Sequence, residues 1–191
     1  MKIYVTGLGV VSGIGLGVAE NIASLRKHQH GMGKVTLFPT ELDVPVSEVK
    51  YSNEELKRLL SLDIQKTFSR TALLGMLAAR EAVDDARLDL NTLRVGLISS
   101  TSVGGMDLSE HFYNAFKKDN RKGRLREVIS HDCGASTEMI ADYLKVNDFV
   151  TTISTACSSA ANAIMLGARM IRNGQLDAAI VGGTDALCKF T

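Results

Sequence analysis

The sequence predicts an α/β fold in which a largely parallel sheet is covered by helices on both faces. Short apolar, β-branched runs alternate along the chain with segments of helical periodicity. Strands that are apolar along their whole length are typical of parallel sheets buried on both faces. The 191 residues suit one domain or a large half of one. Hydrophobic residues make up 45% and charged residues 23% of the chain, as in ordinary globular proteins.

The first elements are a short strand, a helix and an irregular segment. Residues 3–6 carry β-branched side chains and predict a strand that ends at Gly7. Apolar side chains at helical spacing then predict a helix from residue 18 that stops near residue 30. Both prolines lie within residues 31–51, which are therefore predicted to be irregular.

The later elements follow from capping and periodicity. Ser52 and Glu55 form a capping-box pattern at the start of a short helix over residues 54–60. The other predicted helices cover residues 64–86, a segment that runs through residue 116, and residues 136–144. The other predicted strands cover residues 94–99, 151–155 and 178–181, and residues 117–127 are predicted to be a charged loop.

Composition argues against several classes of function. A formal net charge of +1 does not indicate binding to nucleic acid or to an anionic membrane. No apolar run reaches the roughly 18 residues needed to span a bilayer, and the N-terminus lacks a signal-peptide pattern. The three cysteines show no metal-binding spacing, so we expect no metal, no cofactor and free thiols in a cytoplasmic protein.

Cys157 lies where the strand over residues 151–155 gives way to a run of small and apolar residues. We expect a helix that starts at Cys157 and is buried all round for three turns. The free N–H groups at its start would favour the thiolate form of Cys157 and could hold an oxyanion. A buried cysteine with a packing role is the alternative, and it is the expected role of Cys133 and Cys188.

Three stretches of the chain together resemble one enzyme family. The strings STACSS, AANAIMLGARMIRNG and DAAIVGGTD follow the nucleophile segment of the β-ketoacyl-acyl carrier protein synthases. IYVTGLGVVSGIG is similar to the opening of that family, and VGLISSTSVGG to its strand and acyl-pocket loop. The resemblance covers residues 1–191 but only the N-terminal half of the family. It implies a thiolase-like layered fold (αβαβα), of which this is the N-terminal half-domain with one mixed, mostly parallel sheet.

The resemblance implies a decarboxylative Claisen condensation in fatty acid or polyketide biosynthesis. Cys157 would accept an acyl group from a carrier protein, and its backbone N–H would form half of the oxyanion hole. The other half and two essential histidines come, in the family, from motifs that this sequence does not contain. None of the four histidines, His28, His30, His111 and His131, matches those motifs. We therefore expect the 191-residue chain alone to be inactive in condensation, and its last strand to be left partly uncovered.

The resemblance also assigns a pocket residue and a docking surface. Val103 aligns with the family residue between nucleophile and acyl pocket, although simple core packing is the alternative. Lys66, Arg121 and Lys122 match bases that dock an acidic acyl carrier protein bearing phosphopantetheine, although a solvated loop explains them equally. The family implies a partner of the same fold, in a homodimer or a heterodimer.

Two other functions remain open. A non-catalytic partner of the chain-length-factor type, or a scaffold, would have the same fold, but such partners typically lack the nucleophile that Cys157 provides. The string GLGVVSG is a near match to a dinucleotide-binding fingerprint, which leaves a Rossmann-type domain as a remote alternative. A tight turn that packs strand against helix is the preferred interpretation of this string.

Overall fold

The computed structural model describes residues 2–191 and shows a parallel sheet between two helical layers. Within that range the helices are α1 (Val18–Arg26), α2 (Asn53–Leu59), α3 (Arg70–Ala86), α4 (Met106–Lys118), α5 (Leu125–Ile129), α6 (Cys133–Leu144) and α7 (Ser159–Arg172). The strands are β1 (Val11–Ser12), β2 (Gly15–Leu16), β3 (Met32–Gly33), β4 (Val46–Ser47), β5 (Val95–Ser100), β6 (Phe149–Ile153) and β7 (Ala178–Val181).

The sheet has β5 at its centre, with β6 and β7 hydrogen-bonded on its two sides and both parallel to it. Ser100 lies opposite Ile153, and Ile98 lies opposite Val181. All six residues of β5 are buried, as expected for the central strand of a parallel sheet. The predicted α/β class is thus confirmed. The antiparallel pairs form two short ribbons outside this sheet, β1 with β2 and β3 with β4.

The side chains of β5 alternate between two cores. Leu97 faces the larger core, which β5 shares with α3 and α6. Ile98 faces the opposite side, where it packs with Ala163 of α7. Gly167 allows α7 to approach closely, because a Cβ atom there would lie 2.6 Å from Cγ1 of Val181. The small residues of this helix therefore let it lie flat on the sheet.

Carboxylates fasten the edge of the sheet at which its strands begin. The N–H of Val95 donates to Asp148 at 2.8 Å. The N–H of Arg94 donates to Asp177 at 2.9 Å, and its guanidinium binds the same carboxylate at 2.7 Å. These hydrogen bonds from Arg94 lower the pKa of Asp177 to about 2. The carboxylate therefore stays ionised and keeps accepting both bonds at neutral pH.

The predicted strand over residues 3–6 is wrong, because this segment has no strand beside it. The chain that follows it, residues 7–10, lies along α3, where Gly9 sits against the carbonyl oxygen of Ala78, in a space that excludes any larger residue. The N–H groups of Leu8 and Val10 donate to Asp85 and Glu81 of α3, each at 2.9 Å. Side chains of a helix, instead of a neighbouring strand, thus satisfy this backbone.

The glycines of GLGVVSG are explained by the same packing. After Gly9 the chain forms the β1–β2 hairpin, and only then does α1 begin at Val18. Glu81 accepts from the N–H of Val18 at 2.7 Å as well as from Val10, so it joins both ends of the hairpin to α3. The glycine-rich turn therefore does not lead directly into a helix N-terminus, as a dinucleotide site requires.

A buried carboxylate organises the segment that was predicted to be irregular. Residues 31–51 contain the β3–β4 ribbon, followed by Glu48, which is 2% exposed. Burial by itself raises the pKa of Glu48. Hydrogen bonds from Lys50, from Thr36 and from the N–H of Leu37 together lower it by more than burial raises it, and the resulting pKa is about 2. Glu48 therefore gathers donors from both sides of the ribbon around one negative charge.

Several predicted boundaries are corrected by local capping. Helix α2 begins with the expected capping box, which is confirmed. Helix α3 begins at Arg70, six residues later than predicted, because the hydroxyl of Ser69 accepts from the N–H of Ala72. Helix α1 ends at Arg26, before His28 adopts a left-handed backbone.

The remaining boundary corrections lie in the second half of the chain. Asp132 caps α6, which starts three residues before the predicted residue 136. Strand β6 lies two residues earlier than predicted, and α5 begins within the predicted charged loop.

Helix α7 is buried on one side only, which corrects the expectation of burial all round. Ala163 and Gly167 are buried against the sheet, whereas Ile164 and Met165 are 54% and 43% exposed. Strand β7 is half-buried along its length. Among residues 2–191, no helix combines the length and apolarity needed to cross a bilayer.

Candidate functional site

Cys157 lies in the turn that joins β6 to α7, at the edge of the sheet where the parallel strands end. Cys157 is exposed, whereas a cysteine with a packing role would be buried. The preceding residue, Ala156, has a φ angle of 52°, a left-handed conformation that is unfavourable for a residue with a Cβ atom. Such strain in a turn is typical of functional sites that the surrounding structure holds in place.

The helix begins two residues after Cys157, at Ser159, and not at Cys157 as predicted. The N–H groups of Ser158 and Ser159 donate to the carbonyl oxygens of Thr155 and Ala156. Within residues 2–191, no acceptor is found for the N–H of Cys157 itself. This amide is therefore available to donate to an oxyanion that forms beside the thiol.

Two polar side chains hold this turn, and the sequence did not reveal them. The hydroxyl of Ser159, which is 5% exposed, donates to the carbonyl oxygen of Ala156 at 2.6 Å and accepts from the N–H of Thr155 at 2.7 Å. The amide of Asn162 donates to the hydroxyl of Thr155 at 2.8 Å. Their spacing of three residues, at the first turn of a helix, was the signal available in the sequence.

Val103 lies in the loop between β5 and α4, where it is half-buried. This loop leaves the sheet at the same edge as the Cys157 turn, because β5 and β6 are parallel neighbours. The N–H of Thr101 donates to the carbonyl oxygen of Ile153 at 3.4 Å, which joins the starts of the two connections. The fold therefore brings the predicted pocket loop and the predicted nucleophile to adjacent strand ends.

The other cysteines differ from Cys157 in their surroundings. Cys188 is buried, and burial raises the pKa of its thiol. Cys133 is half-buried at the start of α6, with its sulfur 4.0 Å from the hydroxyl of Ser154. The exposed thiol among the three is that of Cys157.

The histidines do not assemble around Cys157 in residues 2–191. His131 binds the hydroxyl of Ser109 through Nδ1 at 2.8 Å, on the surface. His111 lines a separate cavity, and His28 and His30 line a shallow depression beside the β1–β2 hairpin. None of them hydrogen-bonds the thiol. The same residues contain no group of three side chains suited to hold a metal ion.

The cavity beside His111 has a volume of about 610 Å³ and a charged lining. Arg70 lines it and donates to the carbonyl oxygens of Tyr51 and Val49, and burial lowers the pKa of this guanidinium. Burial raises the pKa of Asp107, whose Oδ1 atom has no hydrogen-bond partner in the described residues. Cys157 and Val103 lie outside the lining, so this cavity is distinct from the thiol site.

The predicted docking residues lie on exposed loops. Arg121 and Lys122 both contact Asp119, at 3.2 Å and 3.7 Å, in the connection between α4 and α5. Lys66 is exposed between α2 and α3, where its carbonyl oxygen accepts from the ammonium of Lys57 at 2.6 Å. Arg121 and Lys122 thus form a pair, and Asp119 offsets part of their charge.

Comparison with known proteins identifies the family of the chain. The model of the "Beta-ketoacyl synthase, N-terminal domain" family matches residues 1–190. Among curated proteins, 3-oxoacyl-[acyl-carrier-protein] synthase 2 of Staphylococcus aureus is 28% identical over 97% of this chain and 46% of its own length. Nodulation protein E of Rhizobium sp. is likewise 28% identical, over 97% of this chain and 47% of its own length.

Solved structures give the same result. The structure of the ishigamide ketosynthase/chain length factor superposes with a TM-score of 0.87 at 30% identity, over 97% of this chain and 48% of that chain. A ketosynthase in complex with its chain length factor, from Xenorhabdus doucetiae, has a TM-score of 0.74 at 24% identity and supports the fold alone. It covers 96% of this chain and 47% of that chain.

The chain belongs to the β-ketoacyl synthase family, as an N-terminal domain of the thiolase-like ketosynthase fold. It spans about half the length of the curated relatives that it matches.

Proposed function

We propose that this protein acts as a β-ketoacyl-acyl carrier protein synthase in which Cys157 accepts the acyl group. The observation that carries the proposal is the exposed thiol of Cys157 beside the left-handed Ala156, at the end of a parallel strand. A tight turn of this kind directs a nucleophile away from the sheet and towards a substrate. The family membership and the 28% identical 3-oxoacyl-[acyl-carrier-protein] synthase support the same reaction class.

In the first half-reaction, the thiolate of Cys157 attacks the carbonyl carbon of an acyl-carrier thioester. A C–S bond forms to Cys157 and an oxyanion develops on the former carbonyl oxygen, towards which the N–H of Cys157 can donate. The tetrahedral intermediate then collapses, the C–S bond to the carrier breaks, and the pantetheine sulfur leaves as a thiolate, which takes up from solvent the equivalent of the proton that the Cys157 thiol gave up. The acyl group stays on Cys157 as a thioester, which divides the overall condensation into two easier steps.

In the second half-reaction, a malonyl-carrier thioester loses carbon dioxide, and the resulting carbanion attacks the acyl carbon on Cys157. A C–C bond forms, the C–S bond to Cys157 breaks, and the thiolate of Cys157 is regenerated. The acyl carbon thus leaves Cys157 as part of the β-ketoacyl-carrier product, and the sulfur stays on the protein.

The proposed partner is an acidic acyl carrier protein that carries the acyl chain on phosphopantetheine. Lys66, Arg121 and Lys122 are exposed cations that could guide it, since complementary charges mainly accelerate association. We also propose a second ketosynthase-fold chain, identical or different, as the partner subunit. The 30% identity to the ishigamide ketosynthase/chain length factor supports this pairing.

A non-catalytic, chain-length-factor-type role is the second candidate, and similarity to the ishigamide ketosynthase/chain length factor favours it as well. Such a role needs the fold and the interface but no acyl transfer to a thiol. The two candidates therefore differ in whether Cys157 becomes acylated.

The deciding experiment incubates the product of the intact gene with an acyl-pantetheine thioester and measures its mass. We expect one added acyl group, which peptide mapping places on Cys157. Cys157→Ala should abolish the adduct while retaining the fold, and the matched variant Cys133→Ala should retain it. Iodoacetamide should likewise react with Cys157 near neutral pH well before Cys133 and Cys188. An adduct that persists in Cys157→Ala would refute Cys157 as the nucleophile, and a wild-type protein without any adduct would favour the non-catalytic role.

A further inference from the structure

One carboxylate outside the Cys157 turn organises the loop that carries Val103. The Oδ1 atom of Asp185 accepts from the hydroxyl of Thr101 at 2.6 Å, from the N–H of Ser102 at 2.8 Å and from the N–H of Val103 at 3.3 Å. The Thr101 hydroxyl in turn accepts from the N–H of Gly104 at 3.0 Å. Asp185 thus binds residues 101–103 directly, and it holds Gly104 through the hydroxyl of Thr101.

The backbone that carries Asp185 is itself fixed to the end of β5. The hydroxyl of Ser100 donates to the carbonyl oxygen of Gly182 at 3.0 Å, and the N–H of Thr184 donates to the carbonyl oxygen of Ser100 at 2.9 Å. These two hydrogen bonds fix the backbone beside Asp185 relative to β5. The carboxylate can therefore restrict the conformation of residues 101–104.

The same segment contacts the helix that follows Cys157. A Cβ atom on Gly183 would lie 3.2 Å from the Cβ atom of Ala160, in the first turn of α7. Residues 182–185 therefore lie between the Val103 loop and the start of α7. A change at Asp185 reaches the loop directly but leaves the hydrogen bonds of the Cys157 turn in place.

From this geometry we infer that Asp185 is a positioning residue that fixes the Val103 loop and thereby sets which acyl chains Cys157 accepts. The inference rests on the proposed function, because it concerns selectivity among acyl donors of that reaction. Gly104 has a φ angle of 52°, which glycine adopts without strain, so the backbone here is flexible by itself and the hydrogen bonds to Asp185 and Thr101 define its conformation. Without Asp185 the loop gains other conformations, and the position of Val103 is no longer fixed.

The experiment compares Asp185→Ala, Asp185→Asn and wild type as products of the intact gene, with acyl-pantetheine donors of short and long chains. Acylation rates at Cys157 are measured by intact mass for each donor. One hydrogen bond to a charged group accounts for a factor of about 10 to 150, and Asp185→Ala removes three of them, so we expect at least about a tenfold change in its long-to-short rate ratio. Asp185→Asn keeps an acceptor oxygen at this position and should restore much of the wild-type ratio.

The matched control is Asp89→Ala, which removes a carboxylate of similar role at the opposite edge of the sheet. Asp89 accepts from the N–H of Asn91 and from the hydroxyl of Thr92 in the turn before β5. We expect its rate ratio to equal that of wild type. Thr101→Val, which deletes one buried hydroxyl of the same network, gives a second test should Asp185→Ala fail to fold, and it should shift the ratio in the same direction.

The outcomes separate the two proposals. Wild-type acylation together with an unchanged ratio in Asp185→Ala and Thr101→Val would overturn the role of Asp185 while leaving the proposed function intact. A uniform loss of rate with every donor would also overturn it, because a merely structural role predicts that result. No acylation of wild type by any donor would refute the proposed function and this inference with it.

Discussion

Replacing Ser159 with alanine tests whether this side chain holds the Cys157 turn. The substitution removes two hydrogen bonds, to the carbonyl oxygen of Ala156 and from the N–H of Thr155. Each is worth about 0.5–1.5 kcal/mol of net stability, and alanine regains about 0.5 kcal/mol through its higher helix propensity. We therefore expect a net loss of about 0.5–2.5 kcal/mol in the free energy of unfolding. The loss should lie towards the upper end of that range, because Ser159 is almost fully buried and its two partners would be left unpaired.

The substitution should also change the reactivity of the Cys157 thiol, in addition to the free energy of unfolding. Ala156 is left-handed, and the turn should relax towards an ordinary backbone once the hydroxyl is gone. We expect iodoacetamide to label Cys157 at a changed rate and the acyl-pantetheine adduct to form more slowly.

Stability is measured by urea denaturation with linear extrapolation, and labelling by peptide mapping. Ser109→Ala, which deletes a half-buried hydroxyl of α4 that bonds His131, serves as the control; it should leave the labelling of Cys157 unchanged and cost less stability than Ser159→Ala. A Ser159→Ala protein that equals this control in both measurements would contradict the role assigned to Ser159.

Two further predictions concern the surface and the buried carboxylate. If Lys66, Arg121 and Lys122 guide the carrier protein, each reversal to Glu should slow its association, less so at high salt, since charges are screened beyond roughly 8–10 Å. Acylation by a small acyl-pantetheine should be unchanged, and equal impairment of both donors would show that the docking surface lies elsewhere. The folded pKa of Glu48, about 2, lies below its ordinary value of 4.5, so its stabilisation is present above pH 4.5 and is lost as the pH falls through 2. Glu48→Gln should cost at most about 3 kcal/mol near pH 7, and this difference from wild type should vanish towards pH 2. An equal difference at both pH values would contradict an ionised Glu48.

The elements that were predicted correctly depend on local signals. Ser52 and Glu55 lie three residues apart and cap α2 by themselves. Strand β5 begins with the apolar run Val95–Ile98, is buried along its length and is central in the sheet. Both signals are complete within a few residues, so tertiary context does not change them.

The predictions that failed depend on distant residues. Residues 3–6 have the composition of a strand, yet the backbone that follows them bonds to Glu81 and Asp85 more than 70 positions away. Helix α7 was expected to begin at Cys157, but the bonds of Ser159 and a left-handed Ala156 delay its start. A small polar residue in an apolar run gives little indication of which carbonyl it will bind.

The candidate site was predictable in part. Cys157 was found from its neighbours in the sequence, and whether it reacts remains a prediction. Asp185 could not be found in this way, because it lies 84 positions from Thr101 and meets it only where two parallel strands end together. A contact of that range follows from sheet topology and leaves no local pattern.

The parallel arrangement of β5, β6 and β7 has a consequence for how such proteins diversify. At one edge, Asp148 and Asp177 fasten the strand beginnings and touch none of the proposed chemistry. At the other edge, Cys157, Val103 and Asp185 lie on connections that follow the strands. Substitutions that alter substrate preference can therefore accumulate at the second edge while the first continues to secure the architecture. Sequence changes at one edge of the sheet can therefore vary independently of the contacts that stabilise the other edge, although both edges belong to the same three strands.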